Sequence, residues 1–197
     1  MNKKYEFVEG DTIVIAPGRT VKRIRALVAI AAVAWLPPVN PGDLGGYVES
    51  EANLQVYGDA WVYGDAWVYG DARVYGNAWV SGNARVSGDA RVSGDAWVYG
   101  DAWVYGDARV YGDGLICWFS HVGTENGTLT VYNGRDNTLL CTRGCFSGTV
   151  DEFLTKSAAV HDGRIRHEYK LLIEVARSRI ESARAEIAEP DEAQEAA

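Results

Sequence analysis

Between residues 56 and 113 the chain repeats one six-residue word, Val-Tyr-Gly-Asp-Ala-Trp, with Ser replacing Tyr, Asn replacing Asp and Arg replacing Trp in some copies. Valine returns at every sixth position from Val56 to Val110, and alanine sits two residues before nine of these valines, from Ala60 to Ala108. A fixed short period marks a solenoid, in which each unit buries its apolar side only by stacking on the next.

The word fixes the geometry of the unit. Side chains of an extended run alternate in direction, so Ala and Val point one way, and Trp/Arg and Tyr/Ser the other. Val and Ala are apolar in every copy and form the inner pair. Gly-Asp or Gly-Asn supplies the corner, because Gly tolerates positive φ and Asp or Asn bonds its own turn. A corner every six residues closes a triangular coil of eighteen, with small Ala suited to a narrow interior.

Read before each valine, the outer residues sort by that period: Gln55, Arg73, Arg91, Arg109 in one column, Trp61, Trp79, Trp97 in a second, Trp67, Arg85, Trp103 in a third. Ser81, Ser87 and Ser93 give one coil Ser where its neighbours carry Tyr. The predicted fold is mainly β: a left-handed parallel β-helix over 43–113, an N-terminal β cap and connector over 1–42, a C-terminal α+β domain over 114–189 ending in a long helix, and a disordered acidic tail over 190–197.

The flanks supply those elements. Tyr5–Val8, Ile13–Ile15 and Val21–Ile30 read as strands, and the apolar run Ala26 to Leu36 reads as a buried strand pair. That run is too short to span a bilayer and too far from the start for a signal peptide. Leu44 to Val56 reads as an irregular capping coil over the open end. Leu115–Ser120, Thr128–Tyr132 and Asn137–Thr142 read as strands, Thr149-Val150-Asp151-Glu152 as a capping box for a helix to Val160, and Ile165, Tyr169, Leu172, Ala176, Ile180, Ala183 and Ile187 as the stripe of a second helix that Pro190 ends.

The net charge is −8, divided as +3 over 1–42, −7 over 43–113 and −4 over 114–197. An acidic chain disfavours general duplex-DNA binding, which depends on phosphate neutralisation. Three cysteines cannot all pair internally, which points to a reducing cytoplasm.

The repeated words resemble the hexapeptide pattern shared by bacterial acyltransferases and carbonic anhydrases. The segments Arg23-Ile24-Arg25-Ala26-Leu27, Gly42 to Ser50 and Arg143-Gly144-Cys145-Phe146-Ser147-Gly148 resemble those of uncharacterised hexapeptide-repeat proteins of phages and prophages. That resemblance implies a phage-borne accessory protein of the host cytoplasm and implies no chemistry. The likeness to other hexapeptide solenoids implies a homotrimer.

Four groups of residues are candidates for function. Hexapeptide acyltransferases resemble one another in placing a His base on or between the coils, whereas His121, His161 and His167 all follow the repeats here, and no His triad for zinc lies on the coils. Cys117 and His121 with Cys141 and Cys145 are read either as a zinc set or as structural thiols beside a surface His; Cys145 and His161 are the alternative nucleophilic pair. Trp61, Tyr63, Trp79, Trp97 and Tyr99 form an aromatic wall too large to leave bare, hence an oligomer interface. Arg73, Arg91 and Arg109, with Tyr75 and Tyr111, read either as a phosphate-and-base site or as a solvated face paired to Asp71, Asp89 and Asp107. Arg143, Ser147 and His161 read either as an anion site before a helix or as a tight turn with Ser147 or Thr149 as cap.

The function expected from these residues is non-enzymatic binding without metal or cofactor and without a membrane: a counter-defence protein that sequesters a small phosphorylated or nucleotide signal, or blocks a host defence protein. The alternatives are an acetyl-CoA-dependent acyltransferase and a structural or scaffold part of a phage.

Overall fold

The computed structural model describes residues 3–31, 37–112 and 114–194, with side chains as far as Ile187. The repeats form a parallel β-solenoid. Its strands β4 to β12 are two residues each, one every six residues from Trp61–Val62 to Arg109–Val110. They stack in three parallel walls, Trp61–Trp79–Trp97, Trp67–Arg85–Trp103 and Arg73–Arg91–Arg109, each step eighteen residues long. Every repeat alanine from Ala60 to Ala108 is fully buried, as are the valines between Val62 and Val110 to within 1%. Backbone bonds climb from coil to coil, as from Trp61 N–H to the Ala78 carbonyl and from Tyr63 N–H to that of Val80. The corner glycines take positive φ, and the tightest leave no room for a side chain: Gly88 has φ +69°, and a Cβ there would lie 2.7 Å from the Gly106 nitrogen.

One register differs from the expectation. Tyr47 pairs with Trp67 and Leu54 with Val74, so the first turn is twenty residues long. Leu54, fully buried, takes the inner slot expected for Val56, and Asn53 rather than Gln55 heads the arginine column. The physical reason is the end of the stack: Asn53 Nδ2 donates to the Gly70 and Ala72 carbonyls, and Gln55 Oε1 accepts from Gly76 N–H, so two amide side chains satisfy backbone that a further coil would otherwise pair.

The N-terminal cap is built on the same wall. β1 (Tyr5–Ala16) is one strand rather than the two expected, because a bulge between Phe7 and Thr12, centred on Gly10 at φ +79°, absorbs the polar interruption. It pairs antiparallel with β2 (Arg19–Ala26), which pairs with β3 (Leu44–Val48), which runs parallel to the Trp67 strand. Arg23 staples the layers: its guanidinium donates to the Gly45 and Gly64 carbonyls and to Tyr47 Oη, and lies 3.3 Å from Asp11. Arg19 and Arg25 pair with Glu49 and Glu6, and the Lys22 ammonium lies 5.2 Å from the centre of the Phe7 ring. Of the apolar run, Ile30 bridges Val39 and both are buried; residues 32–36 lie outside the described set. Buried Lys4 closes the open end, its ammonium donating to the Ala60 carbonyl at 2.5 Å and that of Tyr57 at 3.3 Å.

The C-terminal end is closed by a second domain. β13 (Ile116–Val122), β14 (Gly127–Asn133), β15 (Leu139–Arg143) and β16 (Phe146–Thr149) form an antiparallel sheet in that order. Its side chains do what a further coil would do: Thr130 Oγ1 accepts from Trp103 N–H, Thr142 Oγ1 donates to the Trp103 carbonyl, Tyr132 Oη bonds both backbone groups of Tyr105, and Asn133 Nδ2 donates to the Arg109 carbonyl. β16 was not expected from the sequence, its Phe-Ser-Gly-Thr being too short and polar for a clear alternation.

Thr149 caps α1 (Val150–Val160) in a full capping box with Glu152, whose carboxyl is held below its usual range by the Thr149 N–H and hydroxyl. Asp162 accepts from Ile165 N–H at the start of α2 (Gly163–Gln194). The buried face of α2 runs through Ile165, Tyr169, Ile173, Ala176, Ile180 and Ala183, with Ile173 in place of the expected Leu172. The helix continues past Pro190 to Gln194, which corrects both the expected stop and the expected disordered tail over 190–194. A proline removes one donor, and the Ala- and Glu-rich residues around it carry the helical propensity on either side. No helix among the described residues is long and apolar enough to cross a membrane.

Two outcomes follow from this fold. Deleting Trp79–Ala96, one whole coil, leaves a cooperatively melting protein, whereas deleting Trp79–Ser81 removes a strand from one wall and abolishes the cooperative transition in circular dichroism. Burial lowers the Lys4 pKa from 10.5 to about 8. Between these values the unfolded chain binds more protons, so the stability difference between wild type and Lys4→Met shifts in favour of wild type as pH rises from 8 to 10.5, read from denaturant unfolding.

Candidate functional site

The arginine wall carries the greatest density of cationic groups on the solenoid. Arg73, Arg91 and Arg109 stand in register on successive coils, about 4.8 Å apart along the stack. Arg109 is oriented by its own backbone surroundings, Nη1 donating to the Asp89 and Ala108 carbonyls at 2.9 and 2.8 Å. Arg135 joins from the loop after β14, held by Asp107 at 2.9 Å. The pairing expected with Asp71, Asp89 and Asp107 is therefore not what forms. Among the described residues, no ion pair joins Arg73, Arg91 or Arg109 to a carboxylate, and Asp107 is taken by Arg135.

Two grooves flank this wall. One, of about 350 Å³, is polar and holds all four arginines together with Asp71 and Asp89. The other, of about 360 Å³, shares Arg73 and Arg91 and continues over Ala52, Val56 and Tyr75. Arg73 and Arg91 thus form a ridge between a polar trough and a more apolar niche with a half-exposed tyrosine. Tyr111 is exposed but lines neither groove.

The aromatic wall is not bare. Trp61 is fully buried and Trp79 is 2% exposed, which corrects the expectation that both need covering by another copy. Trp61 stays on the outer side of the strand, between inward Ala60 and Val62, and is sealed by the chain itself: a Cβ on Gly45 would sit 2.8 Å from its Cζ2 and 2.5 Å from Ile24. The indole Nε1 atoms of Trp61 and Trp79 lack hydrogen-bond partners among the described residues, the cost of that cover. Tyr99 packs edge-on against Trp118 of β13 at 4.3 Å, while Tyr63 remains half-exposed and Trp97 partly so.

The third wall holds what the sequence reading passed over. Arg85 is sandwiched between Trp67 and Trp103, its guanidinium carbon 4.3 and 4.8 Å from the two rings. A cleft of about 540 Å³ opens there between the β1 strand and the C-terminal sheet. The signal was present as Trp, Arg, Trp at eighteen-residue intervals. Asp65 and Asp101 line this cleft together with Arg143, and the indoles already occupy Arg85.

The C-terminal candidates divide. Arg143 and His161 line one pocket, and Ser147 does not; it lies on β16 opposite Thr142, and the helix is capped by Thr149. The two cysteines Cys117 and Cys141 flank Val131 on neighbouring strands, Cys145 is exposed in the following turn, and His121 sits at φ +58° near the end of β13. The described residues contain no cluster of metal-ligating groups. Burial pushes the Cys141 thiol up to about 12, which disfavours the thiolate a metal requires. Cys145 and His161 share the pocket of Arg143.

Residues 54–100 match the family model of the YdcK β-solenoid repeat in four overlapping stretches, 54–70, 67–82, 78–93 and 84–100. The match covers most of the solenoid and stops before its last two strands, Trp103–Val104 and Arg109–Val110. No curated protein and no solved structure matches the chain.

Proposed function

We propose that this chain is a non-enzymatic binding protein that holds a small phosphorylated molecule of the nucleotide class on its arginine wall. The observation that carries this reading is the column Arg73–Arg91–Arg109, without carboxylate partners among the described residues while Arg19, Arg23 and Arg25 of the cap are paired. Guanidinium groups bind phosphate oxygens in a bidentate fork, and three on one straight ladder present that fork repeatedly along a single line. Arg135 extends the line from the C-terminal domain. On the other side of the ridge, Tyr75 with Val56 and Ala52 offers a stacking surface to a base, so the two grooves match the two ends of a nucleotide.

The rigid scaffold favours sequestration over turnover. Its candidate binding groups stand on a backbone ladder, and the His residues stand outside the coils. Together with flanks that resemble phage proteins, this supports a counter-defence use, in which a host signal is held out of circulation.

The test is calorimetric titration with mono-, di- and cyclic nucleotides. At least one binds, its affinity falls with rising salt, and Arg91→Ala weakens it by about tenfold or more, about 1.4 kcal/mol. Flat heats across the panel overturn the proposal.

A further inference from the structure

A second pocket, far in sequence from the arginine wall, lies between the β15–β16 turn, α1 and the first turns of α2. Its volume is about 270 Å³. Ser157 lines it, only 4% exposed, and its hydroxyl has no hydrogen-bond partner among the described residues. Arg143 lines it as well, with a buried Nε–H that has none among them either, although Nη2 donates to the Val122 carbonyl at 2.8 Å. Two orphaned polar atoms in the residues of one small pocket cost about 1–3 kcal/mol each unless something binds them.

The character of these groups selects the ligand. The guanidinium Nε–H is a donor only, and so is the ammonium of Lys156, which lines the same pocket beside His161. The missing partner is therefore an acceptor, and the surplus of cationic groups over the single lining carboxylate, Glu125, makes it an anion. Three of the remaining lining residues carry aromatic rings, beside Thr124, Cys145 and Val160. Phe146 lies tilted against Phe153, and Phe153 edge-on against Tyr169, with centroids 5.3 and 4.9 Å apart. A bare inorganic anion leaves these rings without contact, whereas a planar apolar body packs against them.

We propose that this pocket binds a small aromatic carboxylate, its carboxylate meeting Arg143, Ser157 and Lys156 and its ring lying against Phe146 and Phe153. The site is separate from the arginine wall and stands independently of the nucleotide reading.

The test uses the full chain titrated with phenylacetate, followed by protein-observed NMR, with phenylacetamide and inorganic phosphate as controls. Phenylacetate binds saturably, and both controls bind about tenfold more weakly or not at all. Lys156→Met and Ser157→Ala each weaken phenylacetate several-fold, without lowering the melting temperature, and leave the response to nucleotides unchanged. Lys156 is exposed, so its replacement does not threaten the fold. No saturation up to about 10 mM phenylacetate overturns the proposal. Equal binding of phenylacetamide also overturns it by showing an apolar hole, and equal binding of phosphate by showing a hydrated anion site. An unchanged affinity in both variants places the ligand elsewhere and likewise overturns it.

Discussion

Everything in this molecule depends on a backbone ladder that returns to the same wall every eighteen residues. Parallel bonds from one coil to the next hold the stack, and the inward methyl groups of Val and Ala fill a core too narrow for larger side chains. The ladder has no freedom to slip: a shift of one residue would exchange the inward aliphatics for Trp, Arg and Tyr. The same constraint fixes the surface. Because the period is strict, residues eighteen apart must stand one above another, and a column of arginines becomes a line of charge.

A solenoid has two ends, and each exposes a full set of unpaired backbone groups. Here both ends are finished with side chains rather than with further coils. Lys4, Asn53 and Gln55 act at the first coil, and Thr130, Tyr132, Asn133 and Thr142 at the last. This explains why the flanks are not passive. The arginine grooves gain Ala52 from the capping turn and Arg135 from the terminal domain, and the Trp–Arg–Trp cleft is walled by both flanks. The grooves of the chain arise where a regular stack meets its terminators.

The regular part was legible in the sequence because identity and period coincide there. Val, Ala and Gly at fixed positions specify inside, outside and corner without reference to anything distant. The capping box at Thr149 and the apolar stripe of α2 were legible for the same reason, since each is local. What escaped was long-range. The twenty-residue first turn depends on Asn53 reaching carbonyls of the next coil. The sealing of Trp61 depends on Gly45, sixteen positions away, and the docking threonines speak only once the sheet is folded against Trp103. The arginine column was visible as a pattern, but the loss of Asp107 as its partner was not, because the competing pull of Arg135 comes from another domain.

Oxidative cross-linking tests the column most directly. Adjacent coils bring equivalent Cα atoms to about 4.8 Å, inside the range a disulfide spans. With exposed Cys145 replaced by Ser, the pair Arg73→Cys and Arg91→Cys closes a disulfide under mild oxidant, whereas Arg73→Cys with Arg85→Cys, placed on different walls, keeps its thiols free. Cross-linking of the second pair in preference to the first would contradict an eighteen-residue ladder, and with it the line of arginines on which the proposed binding rests.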